Sequence, residues 1–145
     1  MRFMVIVKAT AESEKEGALP DPQLMAEMNK FNDELVAAGV VVGYEGLHPS
    51  SKGARVRFSG KNRTVIDGPF AETKELIAGF SLWQVKSLEE AIEWVKRVPH
   101  PHAVDFEAEI RQVFEMEDFA PAFSEEDIQQ EKNLRAQLAD QLAKK

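Results

Sequence analysis

Apolar residues recur along the chain with two periods, and the switches between them mark out the elements. In "RFMVIVK", residues 2–8, Phe3, Val5 and Val7 share one face of a strand while Met4 and Ile6 occupy the other. Apolar side chains on both faces predict a strand inside a sheet. A polar loop, "ATAESEKEGALP", follows, and then the period lengthens. Leu24, Met28, Phe31 and Leu35 make the buried stripe of an amphipathic helix. Asp21 suits its cap, Pro22 its first position and Gly39 its left-handed stop.

Period two returns in "VVVGYEGL", residues 40–47, a second strand broken by "HPSSKG". In "ARVRFS" Val56 and Phe58 point one way, Arg55 and Arg57 the other. "SGKN" is a turn signal, so residues 54–59 and 63–67 are expected to form an antiparallel hairpin. The second arm ends at Asp67, Gly68 and Pro69. After a brief helical turn, "GFSLWQVK" is strand-like again. "SLEEAIEWVKRV" is a helix with Ser87 and Glu90 at capping-box spacing. Leu88, Ala91, Ile92 and Val95 share its predicted inner face, Lys96 and Arg97 complement its C-terminus, and Pro99 stops it. "FEAEIRQVF" closes the series, with Phe106, Ala108, Ile110 and Phe114 set against Glu107, Glu109 and Arg111.

This order predicts an α+β fold: a ferredoxin-like antiparallel sheet with two helices on one face. Val41, Tyr44, Trp83, Val85 and Val113 exceed what one helical layer is expected to cover. The open face is therefore predicted to be closed by a second copy, making a two-fold homodimer. From Glu115 the character changes. Phe119 and Phe123 are candidate anchors in a linker, Ser124 can cap a helix, and Ile128, Leu134, Leu138 and Leu142 give it a thin stripe. A surface helix, a partner-clasping arm and a frayed tail all fit that pattern. The expected division is a domain over residues 1–119 and a C-terminal helical extension over 120–145.

Composition narrows the function. At 145 residues the chain suits one domain. A net charge of −7 repels phosphate backbones, so nucleic acid is not an expected partner. The absence of cysteine excludes disulfides, thiolate nucleophiles and cysteine-bound zinc. The N-terminal apolar run, residues 3–7, is too short for a membrane span and lacks a signal peptide's cleavage pattern. A cytoplasmic protein with no membrane partner is the expectation.

Candidate chemistry gathers where strands end. Asp67 follows "TVI" at a strand–loop junction, a usual place for a functional side chain. Gly68 permits close backbone approach and Pro69 stops the strand. An Asx turn, with the carboxylate on local amides, is the alternative for Asp67. His48 also leaves a strand, and its ring suits proton transfer near neutral pH. If residues 54–67 form a hairpin, its open end brings His48 and Asp67 to one mouth. Arg55 and Arg57 share a face that suits an anionic ligand, or pairs with glutamates in water. Ser50 is a candidate ligand donor. His100 and His102 in "PHPH" lack a third ligand at a fixed spacing, so no metal is expected. No phosphate-cradling loop or nucleophile elbow is present, and no cofactor is called for.

The runs "EGLHPSSKGARVRFSG", "VIDGPFAETKELIAGFSLWQVKSLEEAIEWVKRVP" and "AEIRQVFEMEDF" resemble the YCII-related, or DGPF-domain, family across residues 1 to about 119. Where such proteins place "CPNPHG" after the second helix, this chain has "VPHPHA". The missing cysteine can carry no role here. The resemblance implies a dimeric α+β barrel and a proposed active site in which His48 and Asp67 act near the dimer cavity. Together these readings lead to an expected small-molecule enzyme: His48 as acid/base, Asp67 orienting it, and Ser50, Arg55, Arg57, Gly68 and Pro69 meeting an anionic small molecule. A non-catalytic metabolite-binding or regulatory dimer is the alternative.

Overall fold

In the computed structural model, which describes residues 1–100 and 104–145, β1 (Arg2–Lys8) lies inside a four-stranded sheet, as its two apolar faces require. Its neighbours are β5 (Ile77–Gln84) and β6 (Ala108–Gln112), and β2 (Val41–Gly46) pairs with the far side of β5. All three pairings are antiparallel, giving the order β2-β5-β1-β6. With α1 (Pro22–Ala37) after β1 and α2 (Leu88–Val95) after β5, this is a mixed α+β arrangement consistent with a ferredoxin-like fold. β3 (Ala54–Ser59) and β4 (Asn62–Asp67) form a separate two-stranded sheet inserted between β2 and β5. Their loop, Gly60 and Lys61, has positive φ only at Gly60, the requirement of a type II′ hairpin.

The core lies between the sheet and its helices. Phe3 and Val5 of β1 and Trp83 of β5 meet Phe31 and Leu35 of α1 and Ala91 of α2. Phe3 stands opposite Trp83 in register, and Trp83, Phe3 and Leu35 are fully enclosed. Burial of a side chain of this class contributes about 1.5–3 kcal/mol. The indole Nε1–H is not stranded, since it donates to Ser81 Oγ at 2.6 Å.

Two expectations about packing are corrected. Trp83 and Val85 belong to the helix-covered core and need no second copy to shield them. Val113 lies outside the sheet unit altogether. The apolar residues on the helix-free face are instead Met4 and Ile6, paired in register with Leu82 and Phe80. On α2, Leu88 and Ile92 are exposed, while Ala91, Trp94 and Val95 face inward. Trp94 takes the inner position because its ring reaches Phe31, 6.3 Å between centroids. Both faces obey helical spacing, and side-chain reach decides between them.

Residues Met1–Gln112 form one compact unit and Val113–Lys145 a second. In the second, the rings of Phe114, Phe119 and Phe123 pack in sequence at tilted angles, with centroids 4.9 and 5.4 Å apart. α3 (Glu125–Ala143) follows, capped reciprocally by Ser124 and Asp127. Among the described residues, no helix is long and apolar enough to cross a membrane.

Candidate functional site

β4 delivers Asp67 to the open end of the hairpin, opposite Ala54. One residue later the chain meets the loop that leaves β2. The Gly68 amide donates to the Gly53 carbonyl at 3.0 Å. A β-carbon on Gly68 would run into the Ser50 carbonyl, so only glycine permits this approach. The Gly68–Pro69 peptide is cis. Ser50 begins a single 3-10 turn, Ser50–Lys52, two residues beyond His48. The backbone thus joins the His48 loop to the Asp67 turn at one point.

The two candidate side chains are exposed, and no hydrogen bond or ion pair joins them among the described residues. Asp67 accepts no local amide either, so the Asx turn that its sequence allows is not formed. Both groups stand at the junction without a protein partner among the described residues.

Ser50 is differently placed. Its hydroxyl donates to Glu14 Oε2 at 2.6 Å and accepts from the Phe70 amide at 3.1 Å. Its own amide donates to both Glu14 oxygens, at 3.1 and 3.2 Å. The hydroxyl has one hydrogen, and that hydrogen already has a charged acceptor. Glu14 is a site residue that sequence reasoning missed. It lies 36 positions before Ser50, in a loop where Glu12 and Glu16 look identical to it, and no local signal separates the three.

Strand alternation divides the arginines from the aspartate. Asp67 shares its hairpin face with Ala54, Val56 and Val65, whereas Arg55 and Arg57 lie on the face of Ile66 and Thr64. The Arg55 guanidinium sits 3.9 Å above the Phe70 ring. Its charge also acts on Glu75 of the turn Thr73–Glu75. There a hydrogen bond with Glu72, followed by the Glu72 charge, raises the Glu75 carboxyl above its ordinary value, and Arg55 and Lys8 oppose the rise. Arg63 is occupied by the carbonyls of Gly60 and Asn62, at 3.0 and 2.9 Å. Pro69 and Phe70 complete the turn.

Two surface clefts lie elsewhere. One, of about 230 Å³, is lined by Val95, Lys96, Val98, His100, Phe106 and Ala108. The other, of about 500 Å³, lies between Glu27, Lys30, Phe31, Glu34, Arg97 and Pro99. Neither includes His48 or Asp67. Among the described residues no group of three His, Asp or Glu side chains is arranged to hold a metal ion. His102, half of the His-x-His pair, lies outside the described residues.

The chain is 32% identical over 91 residues to an uncharacterised protein of Rhizobium meliloti (strain 1021), covering 63% of this chain and 73% of the relative. Residues 1–117 match the family described as the YCII-related domain, a span that holds the four-stranded sheet, the inserted hairpin and the junction between His48 and Asp67. The chain belongs to the YCII-related domain family.

Proposed function

We propose that this protein is a small-molecule enzyme in which His48 moves protons and Asp67 orients the imidazole and stabilises its charged form. The observation that supports this most is the tie between Gly53, Ser50 and Gly68. It gathers a histidine loop and an aspartate turn at one place and leaves both side chains exposed and unengaged among the described residues. Neutral imidazole would take a proton from the substrate or from water, and the imidazolium would return it to another atom. That scheme serves a proton transfer, an isomerisation or a hydrolysis without a cofactor. Arg57, with no ion pair among the described residues, is the cation offered to an anionic group, from the hairpin face opposite Asp67. The reading includes a homodimer, in which a second copy covers Met4, Ile6, Phe80 and Leu82 and walls the site as a closed α+β barrel.

Proton transfer can be tested before the substrate is known. Candidate small carbonyl acids are incubated with the protein in D₂O and followed by NMR for deuterium uptake. Any compound that exchanges should do so at least about a hundredfold more slowly with His48→Ala and with Asp67→Asn, each variant remaining folded. Wild-type exchange in both variants rejects the pair.

One observation favours the second reading, a non-catalytic metabolite-binding or regulatory dimer. Leu134, Leu138 and Leu142 of α3 are each more than half exposed and recur at four-residue spacing. Such a stripe suits a partner's surface. Removing residues 120–145 should abolish capture of that partner if this reading holds, and leave deuterium exchange intact if the enzymatic one does.

A further inference from the structure

The site's two halves are tied through a third stretch of chain that sequence reading assigned only as a polar loop. After β1, residues 10–14 fold into a self-bonded turn. The Thr10 amide donates to Ser13 Oγ at 2.8 Å, the Ser13 amide to Thr10 Oγ1 at 3.1 Å, and the Glu14 amide to the Thr10 carbonyl at 3.1 Å. The Ala9 amide, just before it, is fixed to the Leu76 carbonyl at 2.9 Å. Glu14 therefore projects from a braced support. Its carboxylate takes three hydrogen bonds from one residue, Ser50, and the hydroxyl contact at 2.6 Å has the short length of a bond to a charged acceptor. The same hydroxyl then accepts from the Phe70 amide at 3.1 Å. Glu14, Ser50 and Phe70 form one relay across three segments far apart in sequence, and Gly68 is seated against its middle member.

We infer that Glu14 is a positioning residue: acting through Ser50, it holds the His48 loop against the Asp67 turn. The inference rests on the proposed role of that pair. The relay also changes the part Ser50 plays. With its hydrogen committed to Glu14, Ser50 serves as a strut between the two loops. A polar group that locks the residues around a site is what keeps such a site within the narrow tolerance acid/base transfer needs.

Amide hydrogen exchange on the full chain tests the relay without any substrate. In Glu14→Ala, exchange should accelerate by about tenfold to a hundredfold at Ser50, and equally at Phe70 and Gly68, whose amides do not touch Glu14. Core amides such as Val5 and Ser81 should keep wild-type rates. Wild-type exchange at Phe70 and Gly68 would overturn the inference. If the alanine variant does not fold, Glu14→Gln, which keeps the side chain's length but replaces one acceptor oxygen with a donor, should accelerate exchange at the same three amides by a smaller factor, and wild-type rates at Phe70 and Gly68 would again overturn the inference. Ser50→Thr, retaining the hydroxyl, should hold Phe70 near its wild-type rate, and Ser50→Ala should not. The positioning role has its own readout: Asp67→Asn should shift the His48 ring-proton resonance in the wild-type background, and that response should be lost in Glu14→Ala. A response of undiminished size there contradicts positioning. If Asp67→Asn leaves His48 unmoved even in the wild-type background, the proposed pair fails, while exchange at Phe70 and Gly68 still judges the relay.

Discussion

Gly68 is the tightest point of the candidate site. Its neighbour is a backbone carbonyl, which cannot rotate aside as a flexible side chain would, and Ser50 is held in place by Glu14. Gly68→Ala should therefore lower the unfolding free energy by about 1–3 kcal/mol, the range for forced overpacking, read as an earlier urea midpoint with unchanged slope. A midpoint equal to wild type would mean that the junction yields easily. Glu72 and Glu75 supply a pH-dependent counterpart. The Glu75 carboxyl is raised, first by its hydrogen bond with Glu72 and then by that residue's charge. A carboxyl with a higher pKa folded than unfolded binds its proton more tightly in the folded state. Its contribution is fully present below the unfolded value and is lost as pH rises through the raised one. Glu72→Gln should accordingly raise the thermal midpoint near neutral pH, with the gain shrinking as pH falls through the carboxylate range. A gain of the same size at every pH would point to another cause. At this scale the sequence was legible where chemistry has a local grammar. Asp67, Gly68 and Pro69 announce a strand that stops at a close approach, and His48 announces titratable chemistry in a loop. Glu14 has no grammar, because its meaning comes from a hydrogen bond to a residue 36 positions away.

Periodicity located the elements well. Strands β1, β3 and β4 and helix α1 fall within a residue or two of their predicted bounds; β3, β4 and α1 are flanked by a cap, a glycine or a proline, and β1 is marked by its apolar run alone. The face of α2 was less legible. Leu88 and Ile92 satisfy the spacing as well as Trp94 does, and only the distance to Phe31 settles which side turns inward. The capping box on that helix is also shifted: Glu90 reaches the Lys86 amide at 2.7 Å, one residue before the cap. α3 carries the reciprocal form. Ser124 donates to Asp127 Oδ2 through its hydroxyl at 2.6 Å and its amide at 3.1 Å, and these bonds hold the Asp127 carboxyl below its ordinary value. A depressed carboxyl stabilises the fold above its unfolded value and loses that contribution as pH falls through the lower folded one. Amides at the start of α3 should therefore exchange faster once pH drops below about 4, after correction for intrinsic rates. In Asp127→Ala they should already be fast at neutral pH. Equal protection in the variant and the wild type would show that the box does not hold the first turn.

At the scale of the whole molecule, an antiparallel sheet with two helices followed from element order, because few topologies satisfy it, whereas the strand order β2-β5-β1-β6 and the separate β3-β4 sheet come from the structure. What covers the helix-free face did not follow, since one chain's pattern shows only that a face is apolar. The structure redefines that face as Met4, Ile6, Phe80 and Leu82. Charged groups border it on β6, where Glu109 is bonded to Arg111 at 3.2 Å and faces Lys8 at 3.5 Å. The Arg111 bond, helped by Lys8, keeps the Glu109 carboxyl below its ordinary value. If a second copy closes this face, Leu82→Glu should halve the mass in solution, from twice 16.3 kDa to 16.3 kDa by light scattering at micromolar concentration. A variant that keeps the wild-type mass would place the contact elsewhere. The most direct measurement of all is a crystal structure of the assembled protein. It should show the His48 imidazole and the Asp67 carboxylate lining one enclosed cavity to which both copies contribute wall. The two side chains pointing into bulk solvent on the outside of the assembly would contradict it.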